Sequence, residues 1–391
     1  MKDLKFLHSK ISKIVQKIPR SGIRDFFDIV NSKKDVVSLG IGEPDFITPW
    51  RIRDKAIRSL ERGRTSYTSN LGLLSLRIEI SKFIKNKTDI NFSPDNEVLI
   101  TVGVSEGLDL AMRALIEPGD EVIYHEPCYV SYNPLIKFAH GIPIGIHTKK
   151  ENNFKLTYED LEGAVTEKTK ILLLNYPNNP TGSTLNKSEV EDIAKFVIKY
   201  DLIVITDEIY DEFSYDQNHF SIISIPGIRE RCIYLHGFSK LWAMTGWRIG
   251  FVAAPPELTE AMMRIHQYTM LCAPIISQEA ALEALKNGYQ DVIGMKKEYF
   301  NRRNFIQSSL DKIDIPYIHS SGAFYIFIDI RKFGLTSNEF AIKLLESENI
   351  AVVPGSAFGV SGEGFIRCSY AASMSDIKIA IKGIERFTSK L

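Results

Sequence analysis

The chain has 391 residues, of which 44% are hydrophobic and 25% are charged. This is the mix of an ordinary globular protein, and the length suggests about two or three domains. The 48 basic residues are balanced by 48 acidic residues, so nothing in the charge favours nucleic acid or an acidic membrane as a partner, and a small-molecule ligand fits better.

The N-terminal residues predict a surface helix. Residues 1–10 lack the apolar stretch of a secretory signal peptide, and no run reaches the roughly 18 apolar residues of a membrane span. The lysine-rich start shows helical spacing, with a transit peptide as the alternative. We therefore expect a cytoplasmic protein.

The cysteines and histidines do not form a metal-binding pattern. The four cysteines make no C-x-x-C pair, and the eight histidines make no H-E-x-x-H. We expect no metal and no disulfide framework, and we predict reduced, buried cysteines. They are Cys128, Cys232, Cys272 and Cys368.

Short apolar runs alternate with helical patterns through the middle of the chain. Runs that are apolar on both faces are typical of strands in a parallel sheet covered by helices on each side. Helical patterns between them include Ser105–Ile116 and Lys187–Tyr200. Residues 46–285 are predicted to form one large α/β domain. The predicted strands are Val98–Thr101, Glu121–Tyr124, Lys170–Asn175, Leu202–Thr206, Cys232–His236 and Ile249–Ala254.

The rest of the chain predicts a smaller domain. Residues 286–391 combine helical stretches with two shorter strand patterns, Gly322–Ile330 and Asn349–Val353. The first 45 residues are too few to form a core of their own. We expect them to pack against the C-terminal part, so that residues 1–45 and 286–391 together make a small α+β domain.

Four distinctive segments follow predicted strands, where open α/β sheets bind their ligands. Gly103–Gly107 opens a helix after the first strand, and free N–H groups there attract a phosphate, although a plain turn is the alternative. Tyr176–Gly182 follows the third strand and holds two asparagines framed by prolines. We interpret Asn178 as a structural turn residue, and these neighbours leave the role of Asn179 open.

The other two segments carry ionisable side chains. Asp207 and Tyr210 follow the fourth strand, where a carboxylate needs a cation or strong donors, with a helix cap as the alternative. After the fifth strand comes Lys240, followed eight residues later by Arg248. A lysine among apolar residues loses its charge readily and becomes a nucleophile. Together these groups match a cofactor with an aldehyde, a pyridine nitrogen, a phenolic oxygen and a phosphate.

In order and spacing, these motifs resemble the class I and II aminotransferases, enzymes of fold type I. The similarity extends from Ser38–Asp45 to Gly364–Tyr370 and includes N-N-P-T-G, D-E-I-Y and G-F-S-K-x-x-x-M-T-G-W-R. The resemblance implies pyridoxal 5′-phosphate (PLP) as cofactor. It also implies an α/β fold in which a large domain has a mostly parallel sheet covered by helices, beside a smaller α+β domain.

The same resemblance implies a role for each residue near PLP. Lys240 is the implied Schiff-base lysine, whose free amine later carries the proton between the substrate α-carbon and C4′. Asp207 keeps the pyridine nitrogen protonated, which makes the ring an electron sink. Asn179 and Tyr210 bind the phenolic oxygen. The residues implied to bind the phosphate are Arg248, Ser239, Val104 and Ser105.

Substrate contacts are implied as well. Arg367 matches the arginine that grips the substrate α-carboxylate, and Gly42 matches a position where the backbone approaches that carboxylate. Tyr129 matches the ring that stacks on PLP, and with Asn179 and Ile23 it is expected on the substrate side.

Tyr67 matches a tyrosine that reaches a phosphate in the neighbouring subunit, which implies a homodimer with a shared active site. At Gly237 the sequence departs from many relatives, which have a phosphate-binding serine. One phosphate hydrogen bond is therefore expected to be missing or supplied by water. No arginine is identified for a second substrate carboxylate, so aspartate specificity is open.

We expect a biosynthetic enzyme of amino-acid metabolism that moves the α-amino group of an L-amino acid to a 2-oxo acid such as 2-oxoglutarate by ping-pong chemistry. Aspartate, or a broad aspartate and aromatic range, is favoured as the donor. The alternatives are an acyl-diaminopimelate aminotransferase and a PLP-dependent C–S β-lyase on the same fold.

Overall fold

A computed structural model of the chain describes residues 2–20 and 35–391. In these residues the strands form three sheets. The strands are β1 (Val37–Ser38), β2 (Val98–Thr101), β3 (Glu121–Glu126), β4 (Ile142–His147), β5 (Thr169–Asn175), β6 (Ile203–Asp207), β7 (Cys232–Gly237), β8 (Gly250–Ala253), β9 (Tyr317–Ile318), β10 (Tyr325–Asp329), β11 (Ile350–Ala351), β12 (Val353–Pro354) and β13 (Phe365–Ser369).

The described residues also form α-helices. They are α1 (Lys2–Lys10), α2 (Lys13–Lys17), α3 (Trp50–Glu61), α4 (Leu74–Thr88), α5 (Val104–Leu115), α6 (Tyr132–Phe138), α7 (Tyr158–Glu162), α8 (Lys187–Lys199), α9 (Pro256–Thr269), α10 (Ile275–Asn287), α11 (Tyr289–Lys312), α12 (Ser337–Glu348) and α13 (Met374–Thr388).

A seven-stranded sheet lies at the centre, in the order β2-β8-β7-β6-β5-β3-β4. The pairs from β4 through β7 are all parallel, and β8 is antiparallel to both of its neighbours. Strands β2, β7 and β8 are buried along their whole length, as covering helices on both faces require. The predicted α/β class with a mostly parallel sheet is confirmed.

The predicted strands all occur in this sheet, with small shifts at their ends. The fourth predicted strand, Leu202–Thr206, is observed as β6 and continues one residue beyond its predicted end. Asp207 itself therefore pairs with both neighbouring strands. Strand β4 was not predicted because it lies at the edge of the sheet, where its residues are largely half-buried or exposed. The two predicted helices correspond to α5 and α8.

The C-terminal part contains a four-stranded antiparallel sheet, in the order β12-β13-β10-β9. The predicted strand Gly322–Ile330 forms only over β10, and Asn349–Val353 divides into β11 and β12 of different sheets. Strands β9 and β13 were not predicted. Strand β1 pairs in parallel with β11, so the segment before Gly40 lies against the C-terminal part.

The predicted N-terminal surface helix is present as α1, and Phe6 and Leu7 on it are exposed. Among the described helices, none has the length and apolar character to cross a membrane. The described residues also contain no cluster of three or more metal-ligating side chains. All four cysteines are unpaired, but Cys272 is only half-buried, against the prediction, because it lies in the turn between α9 and α10.

Three glycines allow β7, β8 and the turn after β2 to meet closely. A Cβ at Gly250 would lie 2.8 Å from the backbone of Gly103 and Val104, and a Cβ at Gly237 would lie 3.0 Å from the Cα of Gly250. Backbone atoms cannot yield as a flexible side chain can. A methyl group at position 237 would therefore press against the backbone of the paired strand β8.

We expect Gly250→Ala to lower the free energy of unfolding by roughly 2 kcal/mol, because the added methyl group overpacks a backbone contact. Gly246→Ala is the control, since a Cβ there meets nothing within 4 Å, and it should change stability by less than about 0.5 kcal/mol. Urea unfolding measures both. Equal losses in the two variants would contradict this account.

Candidate active site

The four segments that follow predicted strands meet at one edge of the central sheet. Asn175 pairs with Asp207 in the ladder between β5 and β6. Gly237, at the end of β7, pairs with Gly250 of β8, which in turn pairs with Thr101 at the end of β2. Asn175, Asp207, Gly237 and Thr101 each end a strand at this edge, so the segments after them converge on the same place.

Lys240 reaches inward from the turn after β7. Its Nζ donates a hydrogen bond of 2.7 Å to the carbonyl oxygen of Gly42 and lies 5.8 Å from the ring centroids of Tyr210 and Phe324. The surrounding protein removes water from the ammonium group and lowers the pKa of Lys240 to about 8. Burial therefore brings this amine closer to its neutral form than an ordinary lysine, as a nucleophilic amine requires.

Asp207 is buried at the end of β6. Its Oδ2 accepts a hydrogen bond of 2.9 Å from the hydroxyl of Tyr132, and its Oδ1 accepts one of 3.3 Å from the backbone N–H of Ile209. Burial nevertheless raises the pKa of Asp207 to about 6. No α-helix begins within residues 208–221, so the interpretation of Asp207 as a helix cap is wrong. Because burial favours the protonated form, an additional cation beside Asp207 would be needed to favour its carboxylate form.

Arg367, in the middle of β13, is 2% exposed. Its Nη1 donates to Oδ1 of Asn179 at 2.9 Å, and its Nη2 donates to the carbonyl oxygen of Gly40 at 2.6 Å. The guanidinium lies 4.5 and 4.8 Å from the ring centroids of Tyr325 and Phe358, and its Nε is buried without a partner. None of the ion pairs among the described residues involves Arg367. A buried cation of this kind favours binding of an anion such as a carboxylate.

The two asparagines of the predicted turn have different surroundings. Asn178 accepts a hydrogen bond of 3.0 Å from the backbone N–H of Thr181, which closes the turn as a structural residue would. Asn179 instead directs its side-chain oxygen to Arg367 and takes a place in the site. This contact joins two residues that are 188 positions apart in the sequence.

The segment Gly103–Gly107, which the sequence predicts to attract a phosphate, forms the start of α5. Gly103 precedes this helix with φ of 77°, and Val104 and Ser105 are its first residues, where backbone N–H groups are free of helical partners. The guanidinium of Arg248 lies so close to Gly103 that a Cβ there would be 2.6 Å from Nη2. Ser239 is buried beside Lys240. A helix N-terminus and an arginine together are suited to a phosphate group.

For three of the predicted residues, the structure describes few or no contacts with the rest of the site. Tyr129 is half-buried and contacts Tyr132 edge to face at 5.7 Å. Tyr67 is 81% exposed, and in the described part of the chain no hydrogen bond or ring contact connects it to the site. Ile23 lies outside the described residues.

Two tyrosines belong to the site but were not predicted. Tyr132 donates to Asp207, and its spacing of three residues after Tyr129 at the start of a helix was an available signal. Tyr325 forms a hydrogen bond of 2.8 Å with the hydroxyl of Tyr210. Nothing in the sequence marks Tyr325, because it begins a strand whose next three residues, 326–328, belong to the core.

Known proteins are similar over nearly the whole chain. The family model described as aminotransferase class I and II matches residues 34–384. A putative aminotransferase of Bacillus subtilis, YugH, is 52% identical over 98% of this chain and 99% of its own length. The aspartate aminotransferase of Pyrococcus abyssi is 44% identical, with 94% of this chain and 95% of its own length covered. The crystal structure of an aromatic aminotransferase from Pyrococcus horikoshii superposes with a TM-score of 0.90 at 42% identity, covering 94% of this chain and 99% of that one.

The titration of Asp207 should be visible in the stability of the protein without PLP. Its folded-state pKa of about 6 lies above the ordinary 3.8, so this carboxyl lowers stability as the pH rises through the interval between the two values. Asp207→Asn removes that loss. We expect the stability of the variant relative to wild type to rise by roughly 2 to 3 kcal/mol between pH 4 and pH 7. Urea unfolding at both pH values tests this, and a constant difference would contradict it.

Proposed function

The chain belongs to the class I and II aminotransferases, and from this membership we propose how its own residues carry out the family's reaction. The protein is a PLP-dependent enzyme of fold type I that transfers an amino group between an amino acid and a 2-oxo acid. The observation that carries the assignment of residues is that Lys240 and Asp207, from one edge of the central sheet, face Arg367 of β13 across a common space. Lys240 binds the carbonyl oxygen of Gly42, and Arg367 binds that of Gly40.

These residues fit PLP by their chemistry. The amine of Lys240 suits the aldehyde, the carboxylate of Asp207 suits a protonated pyridine nitrogen, and the hydroxyl of Tyr210, with Asn179 nearby, suits the phenolic oxygen. The phosphate is proposed to bind at the first turn of α5, and Tyr129 is proposed to stack on the ring. The proposed phosphate ligands are Arg248, Ser239 and the backbone N–H groups of Val104 and Ser105. When bound, PLP supplies an electron sink for the electron pair left on the substrate α-carbon.

Lys240 is proposed to serve twice. Its neutral amine would hold the aldehyde of the cofactor, and in its free form the same amine would remove the proton from the substrate α-carbon. The depressed pKa of Lys240 supports this role, because a base that titrates near neutral pH can both accept and release a proton. Asp207, with Tyr132 donating to it, provides the negative charge that keeps the pyridine nitrogen protonated.

Arg367 is proposed to bind the α-carboxylate of the substrate, with the backbone of Gly42 beside it. Its buried guanidinium can form two parallel hydrogen bonds with that group, and Asn179 and Gly40 hold it in place. Because every α-amino acid has an α-carboxylate, this contact selects the substrate class and leaves the side chain to be read elsewhere. Ile23 is proposed to lie on that side.

The proposed donor is aspartate, or a broad range of aspartate and aromatic amino acids, and the proposed acceptor is 2-oxoglutarate, in ping-pong order. The names of the P. abyssi and P. horikoshii relatives support this range. The C–S β-lyase alternative is not favoured, since the relatives are named as aminotransferases. We place the enzyme in cytoplasmic amino-acid biosynthesis.

A homodimer with a shared active site is proposed from the exposed aromatic side chains. Tyr67 and Tyr268 are more than four-fifths exposed, and an unpartnered tyrosine ring that matches a phosphate-binding position supports contact with a second copy of the chain. We also propose a large domain of residues 46–285 and a small domain of residues 1–45 and 286–391, since the four-stranded sheet lies entirely in the latter.

Replacing Lys240 tests the assignment of the cofactor lysine. Lys240→Ala should lower transamination by at least about a hundredfold, because the α-carbon loses its base. It should also leave PLP without a covalent bond to the protein. Borohydride reduction followed by mass spectrometry measures that bond, and Lys297→Ala, at an exposed lysine of α11, is the control. A reduced PLP adduct in Lys240→Ala would refute the assignment.

Replacing Arg367 tests the carboxylate site. Arg367→Leu should raise KM about tenfold to a hundredfold for every amino donor, because a charge-assisted hydrogen bond is lost with each of them. Arg367→Lys should recover part of this. An effect confined to dicarboxylic donors would show that Arg367 reads the side chain instead.

A screen of amino donors tests the function itself. The wild-type protein with PLP and 2-oxoglutarate is incubated with aspartate, aromatic amino acids and acylated diaminopimelate in turn, and glutamate is measured. Glutamate from aspartate or the aromatic donors supports the proposed range. Glutamate from the acylated donor alone would overturn it, and pyruvate released from cystathionine without any acceptor would indicate the lyase.

A further inference from the structure

Tyr325 connects the two halves of the proposed site. It lies on β10 and is completely buried. Its hydroxyl is 2.8 Å from the hydroxyl of Tyr210, and the guanidinium of Arg367 lies 4.5 Å from its ring centroid. One side chain thus contacts both the phenol on the cofactor side and the arginine on the carboxylate side.

We propose that Tyr325 is a positioning residue with two separable parts, a hydroxyl that orients Tyr210 and a ring that holds Arg367. This inference rests on the proposed function, because it takes Tyr210 as the donor to the phenolic oxygen of PLP and Arg367 as the substrate carboxylate site. Tyr325 itself need touch neither the substrate nor the cofactor.

The direction of the hydrogen bond follows from counting protons. A phenol has one O–H group. If Tyr210 donates its O–H group to PLP, its oxygen must accept a hydrogen bond from the hydroxyl of Tyr325. The carbonyl oxygen of Gly42 also lies near Tyr325, but at 3.4 Å it is the poorer acceptor. Hydrogen bonds in such a chain strengthen one another, so donation from Tyr325 makes Tyr210 a stronger donor.

The position of Tyr325 is fixed from two directions. A Cβ at Gly42 would lie 2.8 Å from its hydroxyl oxygen, so glycine at position 42 leaves the space that this hydroxyl fills. Its ring meets the ring of Tyr210 edge to face, with centroids 5.8 Å apart. The charged or titratable groups around it are Arg367, Tyr210 and Tyr129, with Lys240 bound to the same Gly42 carbonyl.

The ring supports Arg367 without neutralising it. A guanidinium over an aromatic face is attracted by the ring quadrupole, and it keeps its charge for an incoming carboxylate. The guanidinium also lies over the ring of Phe358, at 4.8 Å, so it contacts two rings. An aliphatic side chain at position 325 would remove one of these rings, whereas phenylalanine would keep it.

The test separates the hydroxyl from the ring in the PLP-loaded enzyme. The pKa of the PLP–Lys240 linkage is measured from its visible absorption, and KM is measured for the best donor. In Tyr325→Phe this pKa should rise by about half a unit to one unit, because a weaker donation from Tyr210 leaves the phenolic oxygen more basic. KM should stay within about twofold of wild type, since the ring remains. In Tyr325→Leu the same pKa rise should be joined by a KM increase of about threefold to tenfold.

Tyr370→Phe is the matched control. Tyr370 is another fully buried tyrosine near the same sheet, and its hydroxyl bonds to Ser320 and to the carbonyl oxygen of Ala323. Tyr370→Phe should lose about as much thermal stability as Tyr325→Phe, and it should leave the visible absorption of the PLP–Lys240 linkage unchanged. An unchanged linkage pKa in Tyr325→Phe would overturn the role of the hydroxyl, and an unchanged KM in Tyr325→Leu would overturn the role of the ring.

Failure of the inference can be told apart from failure of the proposed function. The absorption titration needs no substrate, so it decides the role of the Tyr325 hydroxyl even if no tested amino acid reacts. Conversely, an active wild-type enzyme with the expected donors and an unchanged spectrum in Tyr325→Phe would leave the proposed function in place and reject the inference.

Discussion

The parallel pairing of β5, β6 and β7 is the constraint on which the site depends. Hydrogen bonds between neighbouring strands place Asn175 beside Asp207, and Asp207 beside Leu235. Two residues beyond Leu235 the chain reaches Gly237, which pairs with Gly250 of β8 at close backbone distance. Segments far apart in the chain therefore meet at one edge, and the side chains that follow, including Lys240, reach a common space.

Burial then adjusts the charges that this pairing brings together. Removal of water lowers the pKa of Lys240 and raises that of Asp207, in each case toward the neutral form. Arg367 is buried with carbonyl and amide oxygens as partners and no carboxylate among the described residues. Such a site is costly for the protein alone. A cofactor with a pyridinium nitrogen and an aldehyde, together with a substrate that has a carboxylate, would compensate for these costs.

Hydroxyl groups of tyrosines connect the site to the rest of the fold. Tyr132 at the start of α6 donates to Asp207, and Tyr210 after β6 bonds to Tyr325 in the second sheet. These contacts join elements that belong to different sheets and helices. Aromatic rings suit this purpose because they fill the apolar core with most of their surface and still present one polar atom.

The sequence alone determined the class of the fold and most of the chemistry. Alternating apolar runs and helical patterns predicted the parallel sheet, because burial on both faces demands apolar residues throughout a strand. The motifs around Asn179, Asp207 and Lys240 predicted a PLP enzyme, since each holds its special residue types within a few positions. Strand β4 escaped this reasoning because an edge strand needs no apolar run.

Only the tertiary structure decided which distant residues meet. The structure places the side chain of Asn179 against Arg367 and the hydroxyl of Tyr325 against that of Tyr210. In the sequence, Tyr325 looks like any other core residue. A local apolar pattern predicts that a side chain is buried, but it does not predict which polar group that side chain contacts. That choice depends on how two sheets pack together, and no short stretch of sequence contains both partners.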